Sequence, residues 1–300
     1  MFVNKNKFLH WLFLAVCLSL TAAAQQPKQK VESPATVETF KLNSKLMARE
    51  MPYRVILPIN YKQSNDKVFY PTVYLLHGLT GHFDNWTNKS KLAEYAAKYN
   101  YIVVTPEGDN GWYSDSATVP TDKYESYIVQ ELVPEIDKKF RTRADRQYRA
   151  VAGLSMGGYG SIKFGLKNPE MFVLVGSFSG ALGAASWTER EVGTKGAVAE
   201  SLQDVYGKAD NPTRQQNDIF KLIREMPTEK NKNLPFIYID CGTEDFLFQN
   251  NRDFVSLLVE KKIKHEFRQL PGGHDWKFWD SQVKEFLEVS EKFLVQPEIK

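Results

Sequence analysis

The chain has 300 residues, 42% of them hydrophobic and 25% charged, enough for one large α/β domain or two small ones. Its 39 Lys+Arg face 36 Asp+Glu for a formal net charge of +3; these charges are spread along the chain, with no basic block to suggest a nucleic-acid partner. No metal-ligand spacing occurs, and the glycine-rich run at 153–160 lacks the lysine of a phosphate loop, so neither metal nor cofactor is expected.

The first segment differs from the rest. Lys5 and Lys7 precede an apolar stretch from Phe8 to Leu20, followed by Thr21-Ala22-Ala23-Ala24 and polar Gln25-Gln26. This is the plan of a secretory signal peptide over 1–24, cleaved after Ala24, and it predicts export to the periplasm or the extracellular space. An uncleaved anchor and lipidation at Cys17 are the alternatives. The stretch is short for a membrane span, so no stable membrane insertion is expected after cleavage; Val16 before the cysteine and the continuing "LSL" argue against lipidation. Cleavage leaves Cys241 as the single cysteine, and a domain of this size needs no disulfide. Residues 25–34, polar and proline-bearing, read as a flexible lead-in to a single domain over 35–300.

"VETFKLNSKLM" and "MPYRVILP" alternate apolar and polar residues as half-buried antiparallel strands do, with a turn expected around Arg49-Glu50. The runs at 71–78, 101–108, 148–155, 171–180 and 234–242 are instead almost continuously apolar and end in small residues, which suits a parallel sheet buried on both faces. Amphipathic stretches such as "SKLAEYAAKYN", "YESYIVQELVPEIDKKF" and "NNRDFVSLLVEKK" lie between them. That alternation predicts an α/β fold with helices on both faces of a mostly parallel sheet. Residues 181–233 carry no strand pattern and read as a helical excursion above the C-terminal edge of the sheet, where such folds build their sites. "KHEFRQLPG" and "DWKFWDSQVKEFLEVSEKFL" read as a last strand and a closing helix.

Gly153-Leu154-Ser155-Met156-Gly157 fits G-x-S-x-G where a buried strand should pass into a helix, the context of a nucleophile elbow. A serine hydroxyl is a poor nucleophile until a base takes its proton. Of five histidines, His10 lies in the leader, His77 ends a strand, His82 lies in the next loop and His265 opens a strand; His274, in the small-residue loop "LPGGHD" before the last helix, is the expected base. The imidazolium then needs a carboxylate. "IYIDCGTEDF" offers Asp240, Glu244 and Asp245; Asp240 lies within the strand, and Asp245, past Gly242, is preferred with Glu244 as its rival. The chain order Ser155, Asp245, His274 is that of α/β-hydrolases. An oxyanion would be met by the amides of Met156 and of Leu79 in "LLHGLTG". Trp86, Trp112 and Trp276 are candidate substrate contacts, while Cys241, at the end of a buried strand without basic neighbours, reads as inert.

"LLHGLTG" followed by Trp86, "GWYSDS", "YIVQELVPEID", "GLSMGGYGS", "DCGTEDF" and "GGHDWKFW" together resemble the esterase D family of α/β-hydrolases over roughly residues 36–295. That family includes S-formylglutathione hydrolases, feruloyl and acetyl-xylan esterases, and the antigen 85 mycolyltransferases. The resemblance implies an α/β-hydrolase fold and a serine carboxylesterase with Ser155, Asp245 and His274 as its triad and Leu79 and Met156 as its oxyanion positions. A leader disfavours the cytosolic S-formylglutathione hydrolases and points to an esterase removing acetyl or feruloyl groups from carbohydrate or small esters. An antigen 85-type acyltransferase, an idle hydrolase fold that binds carbohydrate, and a peptidase are the other readings.

Overall fold

The computed structural model describes residues 35–65 and 67–297. The leader over 1–24 and the lead-in over 25–34 lie outside the described residues. Eight strands form one sheet in the order β1-β2-β4-β3-β5-β6-β7-β8. β1 (Thr36–Ser44) and β2 (Arg49–Leu57) pair antiparallel, and β2 runs antiparallel to β4 (Ile102–Pro106). From β4 onward β3 (Thr72–Leu76), β5 (Arg149–Leu154), β6 (Leu174–Phe178), β7 (Phe236–Gly242) and β8 (His265–Leu270) are all parallel. The mostly parallel sheet with helices on both faces is the one expected from the alternating pattern, and its strand order is the α/β-hydrolase fold implied by the resemblance.

The apolar runs follow from burial on both faces. Along β3, Tyr74 and Leu76 enter one core with Val151, Tyr159, Ile162, Ile239 and Phe254. Val73 and Leu75 point the other way, toward Ala150, Ala152, Phe178, Val283 and Phe286. Side chains alternate across a strand, so a sheet covered twice leaves few positions for polar residues. On the first side pack α3 (Tyr124–Ser126), a π-helical turn (Tyr127–Leu132), α4 (Val133–Lys139), α5 (Met156–Lys167) and α10 (Phe248–Glu260). On the second lie α1 (Asn85–Lys89), α2 (Leu92–Ala96) and α11 (Trp276–Ser290).

One local expectation is corrected. Arg49 and Glu50 are not a turn but the start of β2, paired with Ser44 and Asn43; the reversal falls at Lys45–Ala48, where Ala48 takes φ 52°. Arg49 is held there by Asp122, at 2.9 Å, and by the Tyr124 hydroxyl, while Glu50 accepts from Lys41 across the hairpin at 2.8 Å, so one of the two polar residues that read as punctuation is fixed by long-range partners.

Residues 181–233 contain α6 (Glu189–Val192), α7 (Ala197–Tyr206), α8 (Pro212–Asn217) and α9 (Ile219–Glu225) and no strand. A buried polar chain ties this excursion to α5. The fully buried Lys163 ammonium donates to Tyr113 O and Ser114 Oγ and pairs with Glu125 at 3.0 Å. Ser114 meets Tyr206 Oη, which donates to Tyr159 Oη, which in turn donates to Asn217 O. Burial is the largest influence on Lys163 and brings its pKa down to about 8, against the opposing pull of Glu125.

Between β5 and α5 the chain turns sharply at Ser155, with φ 52° and ψ −115°. A Cβ on Gly157 would run into the carbonyl oxygens of Leu76 and His77, because the first turn of α5 lies directly against the end of β3. Backbone cannot yield there as a flexible side chain would. Gly157→Ala should therefore lower the free energy of unfolding by about 3 kcal/mol, read from the urea midpoint, whereas Lys284→Ala on the exposed face of α11 serves as the mild control.

Candidate active site

The sheet order places the site. The chain leaves β3 toward β4 on one side and leaves its neighbour β5 toward β6 on the other, so the loops at their C-terminal ends open a crevice between them, as at the switch point of other α/β sheets. Ser155 follows β5 and the 77–81 loop follows β3. The Ser155 conformation is pinned by its own backbone: its N–H donates to Phe178 O at 2.9 Å, and its carbonyl accepts from Tyr159 and Ala181.

The other two residues arrive from the far edge. The loop after β7 lies on the loop after β8 so closely that a Cβ on Gly242 would overlap Gly272 O. Thr243 N–H donates to Leu270 O and Glu244 N–H to Gly272 O, at 2.8 and 3.0 Å. This stack carries Asp245 beneath His274. His274 Nδ1 stands 2.9 Å from Asp245 Oδ2 and Nε2 stands 3.0 Å from Ser155 Oγ. An ionised carboxylate only accepts, so Nδ1 carries the proton and Nε2 is left to accept from the serine hydroxyl. Asp245 Oδ1 accepts from Leu247 N–H at 2.8 Å. Burial, the largest influence, works to raise the Asp245 pKa, but the bond from His274 and the Leu247 amide outweigh it and hold the carboxyl below its ordinary range. The rival Glu244 is exposed. Asp240 is fully buried on β7, its carboxyl oxygens without a partner among the described residues, and burial pushes its pKa well up.

The expected oxyanion positions lie beside the serine. Met156 N–H is the first of α5 and has no carbonyl one turn back. Gly78 and Leu79 line the same cleft as Ser155. The Gly78 carbonyl accepts from His77 Nδ1 at 2.8 Å and from Gly81 N–H at 3.0 Å. A trans peptide sets its N–H opposite its C=O, so fixing the Gly78 oxygen also fixes the direction of the Leu79 N–H. His77 is itself held by Glu107, 3.1 Å from its Nε2. Glu107 also accepts from the amides of Asp109 and Phe83 and faces His82 Nδ1 at 3.3 Å. This support was not read from the sequence; a carboxylate closing the apolar run "YIVVTPEG" was its only signal.

The cleft encloses about 290 Å³. Trp112 and Trp276 line it as expected, together with Trp187, Phe246 and Trp279. Trp112 and Tyr113 both have positive φ, 49° and 51°, and the Trp112 indole N–H donates to Ser201 Oγ of α7 at 2.9 Å. Trp86 corrects the third expectation: it has no exposed surface, its indole N–H donates to Leu76 O at 3.0 Å, and its ring packs on Phe178 and Trp276. It supports the cleft wall from behind. Phe246, missed by the sequence reading although it follows Asp245 directly, is 77% exposed with its ring 4.7 Å from that of His274.

A fold with this elbow and this crevice defines an α/β-hydrolase. The Esterase family model ("Putative esterase") matches residues 44–288. An acetyl esterase of Caldicellulosiruptor saccharolyticus is 28% identical over 256 residues, covering 83% of this chain and 96% of that protein. Among solved structures, a ferulic acid esterase superposes with a TM-score of 0.73 at 27% identity, over 87% of this chain and 100% of its own. A substrate-bound fluorophosphonate-binding serine hydrolase of Staphylococcus aureus gives 0.75 at 25% identity, over 86% and 99%. The chain belongs to the esterase D family of α/β-hydrolases.

The buried Glu107 gives a pH-dependent expectation. Burial, its largest influence, would raise its pKa, yet the His77 bond and the backbone amides bring it down to about 2 from an ordinary 4.5. A carboxyl depressed on folding stabilises fully above its unfolded pKa and loses that contribution as pH falls toward its folded one. Urea unfolding at a series of pH values should show Glu107→Gln less stable than the unmutated protein by about 3 kcal/mol at neutral pH, with the gap closing between pH about 4.5 and about 2 as Glu107 protonates.

Proposed function

We propose that the protein is an exported serine carboxylesterase that hydrolyses acetyl or feruloyl-type esters of carbohydrates or small alcohols through an acyl-enzyme. The observation that carries this reading is the hydrogen-bonded line from Ser155 Oγ through His274 to the buried Asp245. In it, His274 Nε2 takes the hydroxyl proton as Ser155 Oγ attacks the ester carbonyl, and Asp245 holds the Nδ1 proton and offsets the imidazolium charge. The amides of Leu79 and Met156 receive the oxygen as it becomes an anion; each such donor is worth about 10²–10³ in turnover. His274 then passes the proton to the leaving alcohol, and water, activated by the same imidazole, releases the acid.

The cleft supports a short or single-ring acyl group. Its volume of about 290 Å³ stands at the lower end of ligand pockets, which run from about 300 to about 1,000 Å³. Its aromatic walls suit a planar ring by offset or edge contact. The acetyl esterase and ferulic acid esterase among the similar proteins agree with both choices. Export rests on the basic, apolar and small-residue pattern of residues 1–24.

Initial rates on p-nitrophenyl acetate through octanoate, methyl ferulate and acetylated xylan test the reading. Turnover should be greatest for acetyl or feruloyl esters and decline with longer acyl chains. Ser155→Ala should fold normally and lose about 10⁵–10⁶ in kcat, and a fluorophosphonate probe should add its mass to the Ser155 peptide of the unmutated protein alone. Retained turnover in Ser155→Ala would overturn the mechanism, and ester products formed on adding an acceptor alcohol would redirect it to acyl transfer.

A further inference from the structure

The cleft beside Ser155 holds one side chain at odds with the rest. Besides His274, Lys89 is the only ionisable side chain among the described residues that line it; the others are aromatic, aliphatic or neutral polar. Lys89 is the last residue of α1, and its ammonium lies over the face of Trp276, 5.6 Å from the ring centroid. It makes no ion pair or side-chain hydrogen bond with another described residue, unlike Lys163 and Lys167, which share Glu125. An ammonium carries three donors, and the indole face satisfies charge but accepts little hydrogen bonding. Lys89 is exposed, so its ammonium donors face solvent at the cleft and are open to an incoming acceptor.

Its position in the cleft follows from ring contacts. The His274 imidazole meets Trp279 edge to face at 4.8 Å, Trp279 meets Trp276 at 5.5 Å, and Trp276 carries the Lys89 ammonium. Lys89 thus lies along the His274 wall. The imidazole hands its proton to the departing alcohol, so the alcohol portion of an ester leaves along that wall. Trp112 and Trp187, in edge contact with each other at 6.4 Å, line the cleft from the GWYSDS loop and the helical excursion.

Resting on the ester-hydrolase reading above, we propose that Lys89 selects esters whose alcohol portion carries a carboxylate, such as an acylated acidic sugar. The three ring steps from the imidazole to the ammonium place the matching negative charge several bonds from the scissile oxygen, at the far end of the alcohol portion. One cation with no second basic side chain but His274 lining the cleft matches a single negative charge. The Trp276 ring displaces water from one side of the ammonium, so the pair is screened less than on open surface. Because the contact lies away from the reacting carbonyl, it is made equally in the ground state and the transition state and acts on KM.

The test uses two matched pairs of acetate esters, 4-acetoxybenzoate and 3-(4-acetoxyphenyl)propanoate, each against its primary amide. The quantity read is the ratio of kcat/KM for carboxylate over amide, taken for each variant with its own amide as reference, so a loss of folded protein cancels. Relative to the unmutated protein, Lys89→Met should lower the ratio about fivefold in at least one pair, Lys89→Glu should lower it further, and Lys89→Arg should keep it. The change should reside in KM and shrink between about 20 mM and about 500 mM salt. Turnover of the amides with a ratio that Lys89→Glu leaves unmoved in both pairs overturns the proposal alone. An unmutated protein that hydrolyses neither member of either pair, nor p-nitrophenyl acetate, overturns the ester-hydrolase reading and this proposal with it.

Discussion

Everything at the crevice depends on the backbone at Ser155. A non-glycine residue at φ 52° and ψ −115° costs on the order of 1–3 kcal/mol and persists only where its surroundings leave it no alternative. Here β5 is clamped between β3 and β6, the Ser155 amide is tied to Phe178, and α5 starts hard against the end of β3. The turn cannot relax without lifting α5 from the sheet. That close approach also brings the Met156 amide and the 77–81 loop to the same place, so one constraint orients the hydroxyl and sets the backbone donors beside it.

The opposite wall is held by a second device of different character. Asp245 and His274 stand on consecutive crossovers at the sheet edge, and their loops are joined by backbone hydrogen bonds. The carboxylate is buried, and the imidazole is partly open to solvent. A shielded charge under an accessible base is the arrangement in which a proton can be taken and returned while its counter-charge stays fixed. The excursion at 181–233 completes the cleft with Trp187 and Val198, and it is anchored by the Lys163 network rather than by sheet pairing. The excursion, α1 and α11 thus supply part of the cleft wall, while Ser155, Asp245 and His274 sit just past the ends of β5, β7 and β8.

Much of this was legible because chemistry narrows the choices. A serine between glycines demands a base, few histidines were available, and the loop after the penultimate strand offered the acid. The double-sided sheet was legible because strands covered on both faces carry few polar residues. What escaped had no local signature. Glu107 is one glutamate at a strand end, and only the fold brings His77, His82 and the Phe83 amide to it. Trp86 stood close to a motif in sequence, yet its indole satisfies a β3 carbonyl inside the core. Arg49-Glu50 looked like a turn because both are polar, and the Arg49 partner Asp122 lies far along the chain.

The sequence by itself determined the layer architecture and singled out a candidate nucleophile and the order of its candidate partners, since periodicity and residue type act locally and admit few solutions. The tertiary structure alone decided which tryptophans reach the cleft, which carboxylates are buried and paired, and where Lys89 points its charge. Those outcomes depend on distances between segments that are far apart in the chain, and such distances are fixed by packing, which no local pattern encodes.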